Sequence, residues 1–223
     1  MFDFIAVAQM CAPLVDAPTL SALVKVESSY NPYAIGVVGG HLARQPKTLD
    51  EALTTVAALK KDGWNFSLGL AQVNRDNLTP YQLSVTDAFD ACKNLSVGAQ
   101  IFNACLVRAK EQFPTKQLAE EAAYSCYYSG NFTRGFQADK PNEPSYVQKV
   151  LAANEPIPVI KDASPQKTTA PKNTSSITLE NPVLLQTVTT ASSNGNNNKK
   201  TPTIVEDQTN NLEKPPVNST IVF

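Results

Sequence analysis

Apolar residues recur along this chain at the spacing of one helix face, in segments punctuated by Pro, Gly and Asn. In the sharpest segment Leu20, Leu23 and Val24 follow the i, i+3, i+4 rule, and the next position on that face is Glu27. Asp16 or Ala17 opens this helix, with Pro18 in its first turn, where a proline is tolerated. The run ends before Asn31-Pro32. Thr48-Leu49-Asp50-Glu51 has the form of a capping box and opens a helix carrying Ala52, Val56 and Leu59. Lys60 and Lys61 sit in its last turn and Gly63 just after, as a helix C-terminus favours. A long helix from Asn94 shows Gly98, Ile101, Phe102, Cys105 and Ala109 on one face and stops at Pro114. Thr115 caps the next, which includes Leu118, Ala122 and Cys126 and ends near Gly130; a last helix runs from about Pro144 through Tyr146, Val147, Val150 and Leu151. The apolar start, Met1 to Met10, carries Asp3 and no basic residue, so it reads as a first helix rather than an export leader. Between Gly63 and Tyr81 the pattern is loop-like, with Phe66, Leu68 and Leu70 alternating as one short strand would. The expected fold is mainly α, with a small irregular lobe between Tyr33 and Asn74 where a substrate cleft can open.

Composition divides the chain. Every aromatic residue except Phe223 lies at or before Tyr146, and all 4 cysteines and the single Trp64 fall in the same part. From Asn154 onward the sequence is rich in Thr, Asn, Ser, Pro and Lys, with half of the 16 prolines and one glycine. Such a segment lacks the apolar surface to offset its ordering entropy. We therefore expect one globular domain over residues 1–153, followed by a disordered tail over 154–223 that serves as a spacer or recruits a partner. Apolar patches at Pro182-Val183-Leu184-Leu185 and Thr220-Ile221-Val222-Phe223 are where the tail would add a strand to a partner's sheet edge. The formal net charge of −1 argues against a nucleic-acid partner. No apolar run reaches the length of a membrane span.

An even cysteine count suits an oxidising compartment, with buried free thiols as the alternative. Cys92 and Cys105 lie on or beside one helix, thirteen residues apart. That is roughly 20 Å along the axis, whereas a disulfide needs Cα atoms within about 7 Å. They must look elsewhere, to Cys11 and Cys126. If the helices on either side of Pro114 form an antiparallel hairpin, Cys105 and Cys126 fall at similar heights. The favoured bridges are then Cys11–Cys92 and Cys105–Cys126.

Glu27 is the candidate for chemistry. A glutamate continuing an apolar stripe is partly desolvated, which disfavours the carboxylate and raises its pKa. A carboxylic acid kept protonated near neutrality is what a general acid needs to protonate a leaving glycosidic oxygen. The plainer alternative is a glutamate bonded to a neighbouring helix or solvated at a fraying end. His41, the lone histidine, sits in Gly39-Gly40-His41 and reads as a loop residue. With one His and scattered Cys no zinc spacing exists, and no cofactor is expected.

Further segments extend the case. Glu27-Ser28-Ser29-Tyr30-Asn31-Pro32 is followed by Gly69-Leu70-Ala71-Gln72-Val73-Asn74, then by Tyr127-Tyr128-Ser129-Gly130 and Tyr146-Val147. This order resembles the Glu-Ser, Gly-Leu-x-Gln and Tyr-Asn-x-Gly signatures of the soluble lytic transglycosylases, whose catalytic domain has the goose-type lysozyme-like fold. Asn31 to Val37 and Trp64 to Gly69 look closest to the VirB-type branch that serves type IV secretion systems. The chain departs from the pattern at Tyr128, where Asn or Ser is usual. The resemblance covers about residues 1–152 and implies a peptidoglycan substrate. It implies cleavage of the MurNAc-β-1,4-GlcNAc bond with formation of 1,6-anhydroMurNAc, a periplasmic location, and other secretion components as partners through the tail. Glu27 would be the catalytic acid and then the base. Ser28 would hold substrate or Glu27, Gly69 would let the backbone approach a sugar, and Gln72 and Asn74 would bind the glycan. Tyr127 would hydrogen-bond and orient Glu27, and Tyr146 would line the cleft floor. The competing functions are a hydrolysing muramidase of the same fold and a non-catalytic wall-binding assembly factor.

Overall fold

The computed structural model describes residues 2–153, 159–160, 182–183 and 185–187. Most of the expected tail, including Thr220 to Phe223, lies outside the described residues. Helices dominate, as the apolar periodicity predicts: α1 (Phe4–Cys11), α2 (Ala17–Ser28), α3 (Leu49–Lys61), the four-residue α4 (Arg75–Leu78), α5 (Ala91–Gln112), α6 (Lys116–Ser129) and α7 (Tyr146–Ala152). Their starts are set by side-chain caps that accept orphan backbone N–H groups. Asp16 accepts from Thr19, Thr48 from Glu51, Asp90 from Lys93 and Thr115 from Leu118. The capping box expected at Thr48 is only half formed. Glu51 turns outward to Arg44 and to the Lys47 N–H at 2.8 Å, so its carboxylate serves the incoming loop. The complete box is at α7, where Ser145 and Gln148 satisfy each other's backbone.

α5 is the central helix and packs against α6 and α1. Phe102 on α5 meets Tyr124 and Tyr127 of α6 at ring distances of 5.4 and 6.3 Å. Phe4, Leu20, Leu23, Val24, Leu95 and Phe102 are fully buried around it. Both expected bridges are present, Cys11–Cys92 tying α1 to α5 and Cys105–Cys126 tying α5 to α6, with Cα separations of 5.1 and 5.8 Å. Disulfides of this kind persist in oxidising compartments. No helix among the described residues is long and apolar enough to cross a membrane.

The lobe expected to be irregular apart from one short strand at Phe66 to Leu70 holds that strand within a sheet. β2 (Ile35–Val37), β3 (Gly40–Leu42), β4 (Phe66–Leu68), β5 (Val73–Asn74) and β7 (Leu185–Thr187) pair antiparallel in the order β5-β4-β2-β3-β7. Val38 and Gly39 make the tight turn between β2 and β3, so His41 lies on a strand rather than in a loop. The two short elements from the far end of the chain are β6 (Val159–Ile160), paired with β1 (Phe2–Asp3), and β7, paired with β3. Between them Val183 is buried, its N–H donating to Thr55 Oγ1 at 3.1 Å. Leu185, from the first of the two patches that the sequence suggested for a partner's sheet edge, thus pairs with this chain's own β3.

Candidate active site

Glu27 occupies the last turn of α2 and is 1% exposed. The helix ends directly after it because Ser29 and Tyr30 both take left-handed backbone angles, φ 49° and 62°. Two consecutive non-glycine residues there cost roughly 1–2 kcal/mol each. Packing holds them: the Tyr30 hydroxyl is bound to Ser21 Oγ at 2.8 Å and its ring meets Phe4 edge-on. Ser28 Oγ donates to the Val24 carbonyl at 3.1 Å, so this hydroxyl serves the helix end rather than Glu27.

Burial holds a proton on Glu27. Desolvation raises its pKa from 4.5 to about 8, against the opposing effect of a hydrogen bond from Tyr146. Tyr146 is the first residue of α7, and its hydroxyl donates to Glu27 Oε1. Glu27 Oε2 is buried with no hydrogen-bond partner among the described residues. The two oxygens are therefore unequal. The one that accepts from Tyr146 is the carbonyl-like oxygen, and the proton belongs on Oε2.

Glu27 borders a small pocket with Gln72, Val73, Asn74, Asn77, Ile101 and Tyr127. Gln72 lies just before β5 in a left-handed conformation, φ 45°. Its Nε2 donates to the carbonyls of Gly69 and Ala34 at 2.8 and 3.1 Å, and its Oε1 is buried with no hydrogen-bond partner among the described residues. A ligand that offers both an acceptor and an O–H or N–H donor matches this pair, with the protonated Glu27 Oε2 donating and Gln72 Oε1 accepting. Among the described residues lining the pocket, Glu27 is the one carboxylate. No group of three or more His, Cys, Asp or Glu among the described residues is placed to hold a metal ion.

Several expected roles change in the structure. The hydroxyl on Glu27 is that of Tyr146, whereas Tyr127 donates to the Ala71 carbonyl at 2.5 Å; the roles expected of the two tyrosines are exchanged. Tyr127 lines the pocket and braces the loop between β4 and β5. The side-chain direction of Gly69 points at protein rather than at open space for a sugar. A Cβ there would stand 2.2 Å from the Ala88 carbonyl and 2.4 Å from Asn94 Nδ2, so its missing side chain makes room for protein, at a φ of +77°. Asn74 is the N-cap of α4, accepting from the Asp76 N–H, while its Nδ2 donates to Asn65 and Ser67. It borders the pocket with these groups already engaged.

Asn94 escaped the sequence reading as more than a helix start. Its Oδ1 accepts from the Ala71 N–H at 2.7 Å and its Nδ2 donates to the Leu68 and Ala88 carbonyls at 2.9 and 2.8 Å. One buried amide thus clamps the loop that carries Gln72. The signal was there: Asn94 precedes Val97, Gly98, Ile101 and Phe102 on the apolar face, as Glu27 follows Val24 on its own helix.

Residues 5–146 match the family model described as Transglycosylase SLT domain. The chain is 54% identical over 165 residues to "Type IV secretion system protein virB1" of Brucella suis biovar 1 (strain 1330), a match covering 72% of this chain and 69% of that protein. It is 34% identical over 161 residues to "Protein virB1" of Rhizobium radiobacter, covering 71% of this chain and 64% of that one. No solved structure matches the chain at a significant level.

Proposed function

The chain belongs to the SLT transglycosylase family, and from that premise we propose that it is a peptidoglycan lytic transglycosylase with Glu27 as its one catalytic carboxylate. The observation that carries this reading is the state of Glu27: buried, protonated up to about pH 8, pinned at Oε1 by Tyr146 and, among the described residues, unpartnered at Oε2 beside the pocket. Ordinary glycosidases set two carboxylates about the scissile bond. A pocket with one carboxylate suits a reaction whose nucleophile belongs to the substrate.

In that reaction the Oε2 proton passes to the glycosidic oxygen as the bond from MurNAc C1 to the GlcNAc O4 breaks. Positive character develops at C1. The Glu27 carboxylate then takes the proton from the 6-hydroxyl of the same MurNAc, and the C1–O6 bond closes the 1,6-anhydro ring. Glu27 ends protonated and no water is consumed. An intramolecular nucleophile gains from proximity, which can lower a barrier by about 7–11 kcal/mol in well-oriented cases. Gln72 Oε1 would accept from a hydroxyl or acetamido N–H of the glycan.

The relatives named as type IV secretion proteins support a role in opening the wall locally for such a machine, in the periplasm where two disulfides persist. On this reading residues 1–153 are the catalytic domain, and 154–223, apart from the docked strands β6 and β7, a tether that engages other secretion components. The deciding experiment is mass spectrometry of digested purified wall. Wild type should release muropeptides lighter by one water than hydrolytic products, and Glu27→Gln should release none. Products carrying a free reducing end would replace the proposed reaction by hydrolysis.

A further inference from the structure

Tyr128 has no part in the chemistry above, yet it lies one ring away from it. Its ring lies flat on that of Tyr146, with centroids 4.6 Å apart and planes 16° from parallel. Tyr146 is the residue whose hydroxyl pins Glu27. The far end of Tyr128 is also tied. Its hydroxyl donates to Asp139 Oδ1 at 2.8 Å, Arg134 Nη2 donates to the same oxygen at 2.5 Å, and the Arg134 guanidinium lies 5.7 Å from the Tyr128 ring centre. Tyr128 itself is 2% exposed.

The arrangement matters because of where Tyr146 stands. It is the first residue of a seven-residue helix, and the Ser145–Gln148 box fixes its backbone. The rotation of its ring is decided by what lies against its face, and a shift in that ring moves the hydroxyl at its tip most. We propose that Tyr128, anchored by Asp139 and Arg134, is a positioning residue for the acid: its ring sets the plane of Tyr146, and so which oxygen of Glu27 is pinned and which presents the proton. This rests on the reading of Glu27 as the acid.

Positioning has a signature that plain structural support lacks. The Tyr146 bond lowers the Glu27 pKa against desolvation. A loosened Tyr146 therefore lets it rise, and the alkaline limb of the turnover profile moves to higher pH. Three phenols feel the charge on Glu27, those of Tyr127 and Tyr128 from α6 and Tyr146 from α7, and burial raises each above the usual phenol range. The limb thus belongs to Glu27.

The test measures kcat and KM against pH on purified peptidoglycan for the full chain and for Tyr128→Phe, Tyr128→Leu and Asp139→Ala, with Glu27→Gln as the blank. Tyr128→Leu should lose about tenfold in kcat, within the ~100-fold that a 1 Å misplacement costs, with KM little changed and the alkaline limb moved up. Tyr128→Phe keeps the stacked ring but loses the hydroxyl bond to Asp139, so it should stay within about threefold of wild type and move the limb up slightly, as Asp139→Ala does. Asp139→Ala frees the anchor without touching the stack and should move the limb the same way with a smaller loss, which keeps the idea testable if Tyr128→Leu does not fold. An unmoved limb in Asp139→Ala or in a folded Tyr128→Leu, or a loss carried by KM, overturns the proposal. Wild-type turnover by Glu27→Gln overturns instead the assignment of the acid.

Discussion

Replacing Glu27 by Gln should stabilise the protein at alkaline pH while abolishing its activity. The amide fills the same buried volume at the end of α2 but never ionises. In the wild type the folded chain holds a proton on Glu27 up to about pH 8, whereas an ordinary carboxyl releases it near 4.5. Between those values the folded state binds more protons than the unfolded one, so stability falls as pH rises. The contribution is fully present below the unfolded pKa and lost by the time the pH has passed through the folded one. At about 1.4 kcal/mol per unit the span approaches 5 kcal/mol, and about 3–5 kcal/mol is a realistic order of magnitude. For a domain of this size that opens a gap of roughly 10 °C in Tm. The assay is denaturant or thermal unfolding of wild type and Glu27→Gln, disulfides intact, at about pH 5, 7 and 9. Glu51 and Asp87, both held below the usual carboxylate range by hydrogen bonds from Arg44 and Lys93 respectively, cancel in the difference. Wild-type stability should decline relative to the variant across this range, and turnover should fall as pH passes about 8. Parallel stability curves would refute the claim that burial keeps Glu27 protonated.

Gly69→Ala should destabilise by about 3 kcal/mol or more, because its Cβ meets backbone and the left-handed conformation is strained; unchanged stability with raised KM would restore the sugar-facing role. Asn94→Ala should cost about 2–4 kcal/mol by orphaning the Ala71 N–H and two carbonyls, read from a urea midpoint. Removing Cys11–Cys92 should cost about 4.5 kcal/mol and Cys105–Cys126 about 3, since their sequence separations are 81 and 21 residues; equal losses would argue against loop entropy as the cause. A chain ended after Ala153 should still lyse purified wall but melt lower by about 3–6 °C, having lost buried Val183 and β7. An unchanged melting point would show that these contacts contribute nothing.

The helices and the burial of Glu27 were legible because both depend on local periodicity. Leu20, Leu23 and Val24 predict where Glu27 points, and the caps at Asp16, Thr48 and Thr115 stand where the polar residues announce them. The sheet was legible only in part. Phe66-Ser67-Leu68 alternates in sequence and forms a strand as expected, whereas Ile35–Val37 is three residues long and buried on every residue, and its partners lie far along the chain. Which tyrosine reaches Glu27 depends on how α6 and α7 pack, and residues 127 and 146 carry the same hydroxyl. Gly69 was visible as a special position, but the reason for it lies in Ala88 and Asn94, which no local window contains.

The strand pairing of β7 with β3 also sets an order of events in folding. The α5–α6 hairpin closes locally, its bridge spanning 21 residues. The contact between Val183 and Thr55 joins positions 128 apart. Contacts of such long range close late, because chain entropy must be surrendered before they reward it. In a chain that emerges N-terminus first, every residue of the Glu27 pocket is available well before Leu185. Until then β3 is an open sheet edge, a template on which another chain can pair. β7 is therefore a kinetic safeguard, and the interval before it docks is when the nascent protein is most exposed to misassembly.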